Sequence, residues 1–242
     1  MPAAPKSRRR NTSTAPERLS MAMENYLLSI FRLNEQGVHV TLTILSEHLK
    51  TLPTDEGLGT SLPSVGGMIR RMAREGLAET KPNKEVVLTS SGRKAAASVV
   101  RRHRLAERLV VDLLGMDLQV SHMEAHRLEH AISPNLEARI VAVLNNPETC
   151  PFGHPIPGSG YKPNKNSTSL DTATDGLELV IDSVPEDDQA LLEYFVEKKI
   201  LPGQRVRVNE AAETRGVITL DCGEDEVVFS YDIAAKIRVY PA

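Results

Sequence analysis

The chain has no tryptophan, and only five tyrosines and four phenylalanines among 242 residues. Its cores must therefore be packed mainly with aliphatic side chains, drawn from a hydrophobic content of 40%. Cysteine is equally scarce, with Cys150 and Cys222 far apart in the chain. Two isolated thiols exclude a disulfide framework and a thiolate metal cage, and they suit the reducing cytoplasm in which we expect the protein to act. No apolar run approaches the roughly 18–20 residues needed to span a bilayer, so no membrane partner is expected. The opening M-P-A-A-P-K-S-R-R-R has no hydrophobic segment behind its basic residues and does not read as a secretory signal.

Charge of one sign is missing from each part of the chain rather than from the whole. The net charge is only −3, but residues 1–104 carry 17 Lys+Arg against 9 Asp+Glu, while the remainder carries 12 against 23. A basic front on an acidic body points to a polyanion met from the N-terminal side. At this length two or three structural units are expected.

Residues 1–19 are rich in Arg, Ser, Thr and Pro without apolar periodicity and are expected to form a disordered basic arm. A helical pattern begins at Ser20, with Met23, Tyr26, Leu27, Ile30, Phe31 and Leu33 on one face. A second helix follows Thr41 as N-cap. Thr51–Thr60 has loop composition. Ser61-Leu62-Pro63-Ser64 then opens a third helix, Val65–Glu75, with Ile69 and Met72 inward and Arg70, Arg71 and Arg74 outward. Leu77–Lys81 and Glu85–Leu88 read as a hairpin with Lys81 and Lys84 near its tip. Helix, helix, turn, helix and basic hairpin is the order of a winged helix-turn-helix over 20–92, with the third helix the candidate for the DNA major groove.

A helix of about 22 residues, from Arg93 to Leu114, would be about 33 Å long, more than a winged helix needs, and leads into a second module over 93–157. Two shorter helices follow, Gln119–Ala131 and Pro134–Leu144. The second carries an apolar stripe of Leu136, Ile140, Val143 and Leu144, suited either to an intrachain core or to a partner helix in a dimer. Residues 158–176 read as a linker. Five short strand patterns and one helix over 177–242 read as a small SH3-like barrel. The fold class is thus α+β and multidomain.

The chemistry concentrates in two places. In Ser121–His130, His122, His126, Glu129 and His130 fall at i, i+4, i+7 and i+8, one face of a helix. His103 and Glu107 repeat the i, i+4 spacing upstream. Imidazoles and carboxylates on one stripe make a poor apolar seam and a good set of metal ligands, although a single His-x3-His pair is commonly structural.

Arg101–Glu107, Glu124–His130 and Asn146–Pro157 (N-P-E-T-C-P-F-G-H-P-I-P) together resemble the diphtheria toxin repressor family of iron- and manganese-dependent transcriptional regulators. The resemblance covers residues 22–157 and extends to the SH3-like module of the longer members. It implies a homodimeric repressor that binds operator double-stranded DNA when loaded with a divalent metal. It also implies two metal sites per subunit. The primary site would take Asn25, His126, Glu129 and His130; the ancillary site would take His103, Glu107 and His122, with Glu186 and Gln189 from the C-terminal module. By family position Ser61, Pro63 and Ser64 open the recognition helix, beside Gly66 and Gly67, where longer side chains would reach base edges.

The chain departs from the family pattern at four points. Asn25 stands where iron-type members carry Met and manganese-type members Asp. His126 stands where they carry Cys and Glu, and Leu28 where manganese-type members carry a further Glu. The loop Thr51–Thr60, with Asp55 and Glu56, lengthens a normally tight turn. A primary set of nitrogen and oxygen donors suits Mn(II) or Fe(II), with Mn(II) placed first and Zn(II) a third option, and argues against Cu(I). Two other readings remain: a metal-independent winged-helix regulator with satisfied core histidines, and a metallohydrolase, which would need an open coordination position and a general base.

Overall fold

The computed structural model describes residues 19–52, 58–223 and 225–242. The basic arm but for Leu19, and Asp55 and Glu56 of the long loop, lie outside the described residues.

Helix α1 (Met21–Glu35) starts behind Ser20, whose hydroxyl accepts a hydrogen bond from the Met23 amide. Helices α2 (Leu42–Leu49) and α3 (Leu62–Arg74) are capped in the same way by Thr41 and Ser61, so α3 begins nearly a turn before Val65. Strands β1 (Ala78–Thr80) and β2 (Val86–Leu88) pair antiparallel as the wing. Lys84, at φ 67°, makes its turn. Met23, Leu27, Leu45, Val65, Met72 and Val86 are fully buried in one aliphatic core beneath these elements. The unit is a winged helix-turn-helix.

Helix α4 (Ser90–Arg108) leaves the wing at a point that only glycine permits. A Cβ on Gly92 would lie 1.8 Å from the Leu77 carbonyl oxygen, so the first turn of α4 rests directly on the backbone before β1. The single helix expected to reach Leu114 changes form at Leu109. Leu109–Leu113 is a π-helical turn, with the Leu114 amide donating to the Leu109 carbonyl at 3.2 Å. Helices α5 (Leu118–Glu129) and α6 (Pro134–Val143) complete the second unit. The apolar stripe of α6 divides. Ile140 is buried in a core with Leu105, Ala106 and Ala125, and Leu144 packs against it, whereas Leu136 and Val143 are 47% and 52% exposed.

The Pro/Gly-rich segment after α6 fastens this unit to the next one. Ile156 packs with the helices, but Cys150 and Phe152 are buried in the C-terminal core. The Val184 amide donates to the Phe152 carbonyl at 3.0 Å. Strand β3 (Thr168–Ser169) lies inside the stretch read as linker and pairs with the last strand, and Leu170 is fully buried after it. The linker reading over 158–176 therefore fails from Thr168 onward. Its polar composition hides a two-residue strand whose single inward anchor is too short for periodicity to register.

Strands β4 (Glu178–Ser183), β5 (Arg205–Ala212), β6 (Val217–Cys222), β7 (Asp225–Ser230) and β8 (Arg238–Pro241) join β3 in one antiparallel sheet of order β3-β8-β4-β5-β6-β7. Bulges in β4 and β5 bend it around a core that also takes Leu192 and Phe195 from α7 (Gln189–Glu197). A short α8 (Tyr231–Ala234) precedes β8. This is the SH3-like unit. Among the described residues no helix is long and apolar enough to cross a membrane, and Cys150 and Cys222 are both free.

Candidate metal centre

Helices α1, α4 and α5 meet along faces that are polar where an ordinary helix interface would be apolar. Asn25, His103, Glu107, His126 and Glu129 are each 1% exposed or less, and His122 and His130 are nearly as buried. Isolated ionised groups are costly at such burial, so each must face a partner. They form two adjoining clusters.

The first joins α1 to α5. His130 Nε2 lies 3.0 Å from Asn25 Oδ1 and 3.3 Å from Glu129 Oε1. On its other side, His130 Nδ1 lies 2.7 Å from Glu24 Oε2. His126 Nδ1 is 3.8 Å from Glu129 Oε1, too far for a hydrogen bond, and neither ring nitrogen of His126 has a hydrogen-bond partner among the described residues. Burial, with the nearby His103 cation, outweighs the pull of Glu129 and drops the His126 pKa to about 3. His126 is therefore a neutral imidazole with a lone pair inside a buried polar cluster. An unsatisfied buried group of this kind fits a metal ligand, and it does not fit a satisfied core histidine.

The second cluster joins α4, α5 and the turn before α7. His103 Nε2, Glu107 Oε1 and His122 Nδ1 form a triangle with sides of 3.0, 3.0 and 3.1 Å. Those are hydrogen-bond lengths. They also match an edge of an octahedron with bonds of ~2.1 Å, the length typical of imidazole and carboxylate ligands. Glu107 Oε2 is buried without a hydrogen-bond partner among the described residues, and Glu186 joins the set: one ligand atom from each of His103, Glu107, His122 and Glu186 lies within 4.8 Å of the others. The donor sets of both clusters therefore fit a divalent ion.

His103 links the two clusters. Its Nδ1 lies 2.6 Å from Glu129 Oε2, while Nε2 faces Glu107. Burial opposes its charge, but the two carboxylates carry its pKa up to about 10, so it stands as a buried imidazolium between them. In return, despite their burial, Glu107 and Glu129 are held well below the usual carboxylate range by the same ring.

Of the residues named from the sequence, Asn25, His126, Glu129 and His130 come together, as do His103, Glu107, His122 and Glu186. Gln189 does not join them. It is exposed and its amide donates to Glu193 one turn on at 3.0 Å, so it reaches only the rim of a cavity of about 300 Å³ that opens toward His122 and His126. Leu28 is fully buried against Val99 and Val100, which removes that position from the polar cluster altogether. Two buried residues escaped the sequence reading, Glu24 and Arg32. Glu24 sits beside Asn25 and holds both His130 and, at 2.7 Å, Arg102. Its only sequence signal was an acid on the inward side of an apolar helix.

The candidate DNA face is α3 and the wing. Ser61, Pro63, Ser64, Arg70, Arg71, Lys81 and Lys84 are all exposed. Arg71 pairs with Glu75 at 2.9 Å and Lys81 with Glu85 at 3.2 Å, whereas Arg70 and Lys84 have no ion-pair partner among the described residues.

Three family descriptions match the chain in order: the iron-dependent repressor N-terminal DNA-binding domain over residues 18–86, the iron-dependent repressor metal-binding and dimerisation domain over 89–158, and the FeoA domain over 168–241. The iron-dependent repressor IdeR of Mycobacterium leprae is 34% identical over 230 residues, covering 89% of this chain and 95% of the relative. The diphtheria toxin repressor of Corynebacterium diphtheriae is 34% identical over 227 residues, with the same coverage of each. A solved manganese-dependent transcriptional repressor in complex with manganese superposes with a TM-score of 0.79 at 32% identity, over 91% of this chain and all of that one. With its two donor clusters, its winged helix and this likeness over about nine-tenths of its length, the chain belongs to the diphtheria toxin repressor family of metal-dependent transcriptional repressors.

Proposed function

We propose that the chain represses transcription as a homodimer loaded with Mn(II) or Fe(II), Mn(II) foremost and Zn(II) third, acting on DNA in the cytoplasm. The observation that carries this is the 3.0 Å approach of Asn25 to His130 across 105 residues of sequence. It brings the first helix of the winged unit onto α5, which with its C-cap His130 carries half of the candidate ligands. The first site would be Asn25, His126, Glu129 and His130, and the second His103, Glu107, His122 and Glu186. When bound, the metal supplies divalent charge that compensates the buried carboxylates and holds nitrogen and oxygen donors from different helices at fixed distances. The all-nitrogen-and-oxygen first site is what favours Mn(II) and Fe(II) over softer ions.

The chain's own residues do the rest. Asn25 fixes α1, and with it the winged helix, against α5; Glu24 orients His130 from behind. Arg70 and Lys84 meet phosphates, and the bare backbone at Gly67 lets α3 approach the groove closely, while Gly66 is buried on the inner side of the helix. A Cβ at Gly67 would meet nothing nearer than the Arg70 side chain at 4.0 Å, so the fold itself does not demand glycine there. Leu136 and Val143 on α6, with Leu113 at the end of the π-helical turn and Leu114 after it, offer the apolar surface for a second copy. A two-fold pair would set its recognition helices about 34 Å apart for an inverted repeat.

The test is a selection of duplexes from a randomised pool, followed by anaerobic binding of the winner with Mn(II), Fe(II) and Zn(II) in turn. Binding by Mn(II) or Fe(II) protein that EDTA abolishes is expected. EDTA-resistant binding would return the metal-independent reading, and activation by Zn(II) alone would overturn the metal preference.

A further inference from the structure

Arg32 lies on α1 seven residues after Asn25, two turns along the same face, and it faces the second cluster as Asn25 faces the first. It is 4% exposed. Its guanidinium Nη2 lies 2.7 Å from Glu186 Oε1 and 2.5 Å from Asp187 Oδ1, and Nη1 lies 3.3 Å from His122 Nε2. One turn further, the Gln36 amide donates to Asp187 Oδ2 at 3.0 Å. One side chain of the DNA-binding unit thus holds the acidic turn of the C-terminal unit and one imidazole of the metal-binding unit.

A guanidinium can only donate, so the His122 Nε2 it faces must accept, and the ring proton sits on Nδ1, toward Glu107. Nδ1 is the corner of the triangle with His103 and Glu107. An imidazole that gives Nδ1 to an ion carries its proton on Nε2, and that N–H would then point at the Arg32 donor. The same arginine also occupies Glu186 Oε1. Arg32 and a divalent ion therefore make opposed demands on two of the same four residues.

We propose that Arg32 is a resident cation of the second cluster: it competes with a divalent ion for Glu186 and His122, and it must release both for that ion to bind tightly. Helix α1 thereby registers occupation of the second cluster as well as the first. This rests on the reading of His103, Glu107, His122 and Glu186 as a metal site. Neither spacing nor motif marks the residue, which the sequence shows only as an arginine on the inner side of an amphipathic helix.

The experiment is metal uptake by the full chain, measured with Zn(II) and Mn(II) against a chromophoric chelator, for the unaltered chain, Arg32→Met, and Glu107→Ala combined with His122→Ala. Arg32→Met is expected to bind the second equivalent about tenfold more tightly while the first stays within about twofold. A second equivalent bound equally or more weakly by folded Arg32→Met overturns the proposal and leaves Arg32 as a tether. The double variant is expected to lose one equivalent; two equivalents retained there would sink the second-site reading itself, whatever Arg32 does. Because Arg32→Met removes the buried ion pairs of Glu186 and Asp187 and can unfold the chain, the unaltered chain is also titrated with Zn(II) under 15N-arginine NMR. The Arg32 guanidinium signal, assigned by its loss in Arg32→Lys, should move with the second equivalent; a signal unmoved through both equivalents overturns the proposal.

Discussion

The two donor clusters share a wall, His103, but they are built on different principles. The first spans α1 and α5 and is loose. Its four donors approach one another at 3.0, 3.3 and 3.8 Å, and His126 has no hydrogen-bond partner among the described residues. The second spans α4, α5 and the turn before α7 and is closed, with three corners 3.0–3.1 Å apart and an arginine already against its fourth member. Open donors between two units make a site whose geometry changes with the angle between them. Closed donors held by a neighbouring cation make a site that is preassembled and must be entered by displacement. The first arrangement suits a switch, and the second suits a support that sets how firmly the C-terminal unit is engaged.

That contrast can be broken most directly at the first cluster. Glu129→Ala combined with His130→Ala should cut metal-stimulated DNA binding about 100-fold or more, since even outer partners of ligands cost 10–100-fold. Stimulation surviving in a mobility-shift titration would move the switch elsewhere. His103→Ala comes next, because its two nitrogens serve both clusters. Calorimetric titration should show both equivalents weakened by about tenfold or more. If only the second equivalent weakened, the clusters would be independent. Glu24→Gln is a one-sided change: the His130 contact is diluted, and the first equivalent should weaken by about tenfold while the second holds. Equal loss at both would show that Glu24 acts through α1 packing. The smallest effect belongs to Gln189→Ala, expected to shift neither equivalent by more than about twofold, since its amide is spent on Glu193. A clear loss of the second equivalent would restore Gln189 as a ligand.

The buried polar clusters were legible to an unusual degree because most of their His and Glu residues sit on helices. Spacing by three and four places side chains on one face wherever the helix goes, so His122, His126, Glu129 and His130 declared themselves without tertiary information. Ser20, Thr41 and Ser61 likewise announced the helix starts through their capping hydroxyls. Arg32 and Glu24 did not. Each is a common surface residue type whose burial depends on which unit packs over it, and periodicity cannot distinguish a polar residue facing solvent from one facing a buried ion cluster. The stripe on α6 failed in the same way: Ile140 and Leu144 turn inward while Leu136 and Val143 turn outward, although all four read as one face.

Strand β3 shows the limit for short elements, where two residues pair with β8 on the strength of a register set far away in the chain. The segment Cys150–Ile156 shows the limit for boundaries. The sequence assigned it to the second module, yet Phe152 lies in the C-terminal core and Gly153 at φ +89° runs against β4, where a Cβ would come within 2.1 Å of the Asp182 carbonyl.

By itself the sequence determined the multidomain architecture, the aliphatic cores and the His/Glu faces of α4 and α5, because helical period, caps and turn residues are local properties. Only the tertiary structure decided which clusters touch, that His103 serves both, that Glu186 is brought to the second and Gln189 is not, and that Arg32 stands between three units. Those outcomes turn on burial. A charge taken out of water must find a partner within about 3–4 Å, and which partner it finds depends on how whole units pack.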